Sequence, residues 1–216
     1  MRWKFLFTAL LSAMVVSANG CNIVGPVAMV LEGPPTVPAM YQLDPERPTV
    51  IFVDDRHNKL PKRSLRTDAA TVTERILLDR KLIAAGNMID HRSALRVAAR
   101  ETPDEPLSVV EVGRRIGAEV VIYVTFIDFE ITRDRVSVHP LSNATVCIYD
   151  TVTNEKLFPA GDSFHPLRIS LPPKTTPFFS MTLAEQSEVE RELATGIGLG
   201  LSRMFYEYER DRTLSN

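Results

Sequence analysis

The chain has 216 residues, 44% hydrophobic and 24% charged, with a formal net charge of −2. That length and balance suit one globular domain with elaborations and exclude a fibrous or disordered chain. A mildly acidic balance argues against non-specific nucleic-acid binding, and two cysteines alone make neither a disulfide framework nor a zinc site.

Arg2 and Lys4 precede an apolar run from Phe5 to Val16, followed by small residues up to Cys21. A basic start, about a dozen apolar residues and a small-residue end form the layout of a bacterial export signal. The run is too short to span a bilayer, which takes roughly 20 residues. Gly20-Cys21 resembles the end of a lipobox, although Ala18 and Asn19 stand where Leu and a small residue are usual. The expectation is a signal peptide over 1–20 and lipidation of Cys21. The rival roles are ordinary cleavage nearby and a disulfide from Cys21 to Cys147. Loss of residues 1–20 removes Arg2 and Lys4 and no acid, so 196 residues carry a charge of −4.

Residues 21–48 are expected to be a lipid-anchored, proline-rich linker or a strap on the domain, because six prolines fall between 22 and 48. A single α/β domain follows over 49–210, with 211–216 as a tail. "TVIFVDD", Thr49 to Asp55, reads as a strand buried on both faces. A loop leads to a helix capped at Thr67 or Asp68 and running to Ala85, its apolar stripe built on Ala69, Val72, Ile76 and Ile83. Gly86 and Asn87 are expected to end it in left-handed backbone. "NMID" is short and extended, and residues 91–101 form a helix capped near Arg92 or Ser93. Another helix runs from Leu107 or Ser108 to Gly117. "AEVVIYVTFIDFEI", 118–131, is the strongest strand signal.

"SVHPLSNATVCIYDTVTNEKLFP" reads as a strand, a turn at Thr153-Asn154 and a short returning strand. Loop or edge structure over 159–177 then gives way to a helix from Thr182 to about Glu209. The order implies an α/β (α+β) fold, with helices covering a mixed sheet of about five strands.

"TVIFVDD", the following helix, "NMID" ending in Asp90, and "VVEVGRRIGAEVVIYVTFIDFEI" together resemble the amino-terminal domain of TolB and the lipoproteins CsgG and LpoB. The junction Ile116-Gly117-Ala118-Glu119 stands where that group closes a helix on Leu-Gly-Ala-Asp. Asn154 replaces the glycine of the group's later turn. The resemblance covers about residues 49–158 and implies an anticodon-binding-like α/β domain on a bacterial envelope lipoprotein. No strand pair is long enough for a membrane-spanning hairpin.

Asp54, Asp55 and His57 stand at the end of the first strand, where open α/β sheets commonly bind ligands. Two carboxylates and an imidazole also suit a metal, with His91 or Asp128 available to join. The plainer reading is acids capping turns and a solvated His57. "GIGLG", 196–200, lies inside a helical pattern and lacks a following Lys-Ser or Lys-Thr, so it reads as close packing rather than a phosphate loop. His139 and His165, each before a proline, read as exposed strand ends, and "PFF", 177–179, reads as core.

No nucleophile-and-base set assembles from local spacing, so no catalysis and no cofactor are expected. The function read from the sequence is a lipid-anchored cell-envelope accessory or assembly factor acting through protein contacts. Its partners would be the membrane, through the amino-terminal lipid, and an unidentified envelope protein. A homo-oligomer is a further expectation. The alternative is an exported small-ligand or metal-binding module centred on Asp54, Asp55 and His57.

Overall fold

The computed structural model describes residues 36–101 and 107–209. The chain divides into two compact units, Met1–Val37 and Pro38–Asn216. The first contributes only the short strand β1, Thr36–Val37, to the described residues. Cys21 and the export signal lie outside them.

The second unit is built on β2, Thr49–Asp54, every residue of which is buried. The long helix α1, Ser64–Asp79, carries the chain to the two-residue strand β3, Met88–Ile89, which runs parallel to β2. Two short helices, α2 (His91–Ala98) and α3 (Val109–Arg115), precede β4, Val120–Glu130, parallel to β2 on its other side. Parallel neighbours need such crossovers, and helices supply them here. β5, Leu141–Asp150, turns back antiparallel to β4. The far side of β5 is shared by β6 (Glu155–Phe158) at one end and β7 (His165–Ser170) at the other. The helix α4, Leu183–Arg203, and the short strand β8, Tyr208–Glu209, follow. The result is a six-stranded mixed sheet, α+β in class, as the element order implied.

Alternation along β2 and β4 divides the core between the two faces. Ile51, Val53, Ile122 and Val124 point to the side packed with α1 and α4. Val50, Phe52 and Val121 point to the side packed with Ala94 of α2 and Val112 of α3. Period-two side chains produce this division only when both faces are covered, and a near-continuous apolar run is its sequence trace. Gly117 ends α3 at φ +77°, and Asn154 takes the turn between β5 and β6 at φ +64°. Both are left-handed conformations that Gly and Asn adopt most readily.

Several boundaries differ from the sequence reading. α1 begins at Ser64 without a side-chain cap, so neither Thr67 nor Asp68 starts it. Its buried stripe is Leu65, Ala69, Thr73 and Leu77, with Val72 and Ile76 flanking it. It stops at Asp79, and the left-handed residue is Lys81, φ +56°, rather than Gly86 or Asn87. The N–H of Lys81 donates to the Leu78 carbonyl and that of Leu82 to the Leu77 carbonyl, both at 2.9 Å, the paired bonds of a Schellman motif. The core dictates the early stop. An uninterrupted helix would place Ile83 about 240° around from Leu77, whereas the reversal lets both be buried.

Asp90, not Arg92 or Ser93, caps α2, accepting the Arg92 N–H at 2.8 Å. Thr182 and Glu185 form a reciprocal capping box that starts α4 where the sequence placed it. α4 ends at Arg203 rather than near Glu209. "PFF" is not core: it opens a single 3₁₀ turn, Phe178–Ser180, and Phe179 is 74% exposed.

Residues 38–48 form a strap on the unit. The N–H groups of Met40 and Tyr41 both donate to the Met204 carbonyl, at 2.8 and 3.1 Å. Arg47 reaches Glu119 at 3.1 Å and Asp150 at 2.9 Å. The glycines of α4 serve close packing within the chain, Gly198 against α1 and Gly200 against β7. Cys147 is a free, buried thiol in β5, its pKa pushed up by burial. No helix among the described residues is long and apolar enough to cross a membrane.

Candidate functional site

The carboxyl end of β2 delivers Asp54 and Asp55 to the edge of a cleft of about 320 Å³. Asp54 is 3% exposed, and its Oδ2 is held twice. The Tyr123 hydroxyl donates to it at 2.9 Å, and Arg56 Nε approaches at 2.9 Å. Arg56 also donates through Nη2 to Glu101 at 2.7 Å and to the Leu107 carbonyl at 2.9 Å. One guanidinium thus ties β2 to the end of α2 and the start of α3, using the rigid fork that suits arginine to two carboxylates. Burial, with the Asp54 charge adding to it, pushes the Tyr123 phenol up to about 12, so the hydroxyl stays protonated and donating.

Asp55 turns the other way. Its carboxylate accepts the Lys59 N–H at 2.6 Å and the Leu60 N–H at 3.2 Å, bracing the loop that leads to α1. Such aspartate-to-backbone bonds stabilise turns without any ligand. His57 is exposed in that loop and does not line the cleft. The strand end therefore brings Asp54 and Asp55 together and leaves His57 outside.

The cleft instead gains Arg63 and Arg66 from the start of α1. Neither has a hydrogen-bond or ion-pair partner among the described residues. Three guanidinium groups and the carboxylates of Asp54, Asp55 and Glu101 line one cleft, with Asp54 and Glu101 already paired to Arg56. Its described lining holds no Ser, Cys or His, and what it offers is charge and hydrogen bonding. Arg63 immediately precedes α1 and Arg66 lies in its first turn, a stretch the sequence reading treated as loop, so the early start of the helix hid them.

The other candidates fall elsewhere. Asp128 is engaged with Asn143 beside the β4–β5 bulge, accepting its backbone N–H at 2.8 Å and its side-chain amide at 2.8 and 3.0 Å. His91 lies beside Glu74 and Asp90. His139 is exposed, while His165 is half buried against the Phe158 ring and its pKa is lowered by burial.

A second surface feature is apolar. Val136, Phe179 and Leu183 are 53%, 74% and 81% exposed. The Phe178 N–H donates to the Val136 carbonyl at 2.8 Å, so the loop after β4 meets the approach to α4 there.

No family model and no curated protein matches the chain. The resemblance to the TolB, CsgG and LpoB group is thus one of element order. Among solved structures, the chain is similar to the PelC dodecamer from Paraburkholderia phytofirmans, at 11% identity and a TM-score of 0.39, covering 80% of this chain and 96% of that one. It is similar to the hypothetical protein CT253 from Chlamydia trachomatis, at 19% identity and a TM-score of 0.41, covering 74% and 91%. It is also similar to the lipoprotein GNA1162 from Neisseria meningitidis, at 8% identity and a TM-score of 0.40, covering 70% and 97%. All three scores lie below 0.5, so the architecture described above stands on this chain's own geometry.

Proposed function

We propose that this chain is a lipid-anchored protein of the bacterial cell envelope that acts by contact with another protein and performs no catalysis. The observation that supports it best is the exposure of three large apolar side chains, Val136, Phe179 and Leu183, on the loop after β4 and the approach to α4. Exposed apolar surface of this kind marks a contact site where it is contiguous. The leader and Cys21 supply the anchor in this reading, with the segment after Cys21 as tether. Stable anchoring takes more than one acyl chain, as a lipoprotein amino terminus provides.

Two experiments test the halves separately. Palmitate labelling of the wild type and of Cys21→Ser should give signal in the first only; equal labelling removes the anchor. A photo-crosslinking residue at Phe179 in intact cells should give a discrete adduct, and one at Arg92, on the opposite layer, should not. Adducts at both positions or at neither overturn the contact surface.

A second reading is supported by the cleft at β2, where Arg63 and Arg66 have no partner among the described residues. It keeps Asp54 and Asp55 as one wall and replaces His57 with these arginines, making the ligand a small anion-bearing molecule. Titration with inorganic phosphate, followed by amide NMR, should then move the signals of Arg63 and Arg66. No movement at millimolar phosphate ends this reading.

A further inference from the structure

We infer that Glu74, Asp90 and His91 form a binding site for a divalent transition-metal ion, of the class of Zn²⁺ or Mn²⁺. This inference does not depend on the proposed contact function. Glu74 stands in α1, and Asp90 and His91 stand at the junction of β3 and α2. Their donor atoms all lie within 4.8 Å of one another. His91 Nδ1 is 3.0 Å from Glu74 Oε2 and 3.6 Å from Asp90 Oδ1.

Those separations are the ones a small ion imposes. With bonds of about 2.1 Å, neighbouring ligand atoms stand about 3.0 Å apart in an octahedron and about 3.4 Å apart in a tetrahedron. The His91–Glu74 pair is already there. The Asp90 side chain is 51% exposed, so it has room to close the remaining gap and opens the site to solvent. One imidazole and two carboxylates are a mixed nitrogen–oxygen set, which suits first-row ions better than Mg²⁺ or Ca²⁺. A divalent ion neutralises both carboxylates.

The burial of His91 is the second observation. The residue is 2% exposed, and its Nε2 is buried with no partner among the described residues. Here every polar contact of the ring is on the Nδ1 side, facing the carboxylates. Its position is fixed as well, since Glu74 Oε1 accepts the His91 backbone N–H at 2.8 Å. Metal coordination through Nδ1 displaces to solvent any proton shared with Glu74.

The competing account is that both carboxylates only cap α2. Asp90→Asn separates the two, because asparagine is an equally good N-cap but a poor metal ligand. Calorimetric titration of the full-length protein with ZnCl₂ and with MnCl₂ should show saturable binding of one ion per chain for at least one of them. Glu74→Gln and Asp90→Asn should each weaken it at least tenfold, with the Asp90→Asn far-ultraviolet circular dichroism unchanged. His57→Ala should leave the affinity as it is. Absence of saturable binding, or affinity unaltered in a folded Asp90→Asn protein, overturns the inference, as does loss of binding in His57→Ala.

Discussion

A β-carbon placed on Gly198 of α4 would lie 2.5 Å from the carbonyl oxygen of Ala69 in α1. The two helices touch backbone to backbone at this point. Thr73 lies one turn along, its hydroxyl donating to the Ala69 carbonyl at 2.9 Å and the Gly198 carbonyl at 3.2 Å. Gly198→Ala must therefore move a helix. Despite a gain of about 1 kcal/mol in helix propensity, the net effect should be destabilising by about 1–3 kcal/mol. Gly200→Ala meets the tip of the Ile169 side chain rather than backbone, so it should cost less. Urea unfolding should separate the two variants clearly; equal midpoints would contradict the close approach.

Arg47 fastens the strap to the sheet through Asp150. Burial pushes the Asp150 carboxyl up, but the N–H groups of Thr153 and Val152 and the Arg47 guanidinium outweigh it, leaving the pKa below its ordinary value. A lowered folded pKa gives stability that is present above the unfolded value, about 3.9, and lost as pH falls through the folded one. Arg47→Ala should cost about 1–3 kcal/mol at pH 7. The gap to wild type should narrow below the unfolded value as Asp150 takes up its proton. A gap that stays constant between pH 7 and pH 2 would rule out this pairing as its source.

Asp134 behaves differently, being fully exposed. The backbone N–H groups of Val136 and Ser137 donate to its Oδ1 at 2.9 and 2.7 Å, and they lower its pKa to about 2. Carbon-detected NMR should find its midpoint near that value rather than near the ordinary one of about 3.9. A midpoint at the ordinary value would mean that the loop does not hold this form in solution.

Lys81 adopts left-handed backbone that costs a side-chain-bearing residue about 1 kcal/mol. Lys81→Gly should raise stability by about 0.5–1 kcal/mol, because both Schellman bonds are kept while the strain is removed. A thermal midpoint lower than wild type would show that the lysine side chain contributes more than its backbone costs.

Much of this architecture was legible because burial on both faces leaves a plain trace. "TVIFVD" and "VVIYVTFIDFE" are apolar through most of their length, and β2 and β4 lie side by side in parallel register. The capping pair Thr182 and Glu185 was equally local, so the start of α4 could be read directly. Boundaries set by distant contacts were not legible. α1 stops at Asp79 because Ile83 has to return to the core, and Lys81 gives no local sign of that. At the β2 end, the two aspartates were visible as a pair, but their direction was not: Asp54 turns to Tyr123 and Arg56, Asp55 to its own loop. Glu74 escaped notice because it is seventeen residues from His91, and only the packing of α1 beside α2 brings them together.

The borders of the six-stranded sheet are formed by β3, β6 and β7, of two, four and six residues. The longest of them contains Pro166, which has no N–H to offer, with the charged Arg168 close by. An unpaired strand of useful length is the template on which chains add to one another and grow into fibres. Short margins interrupted in this way, among the described residues, give an incoming chain little to build on.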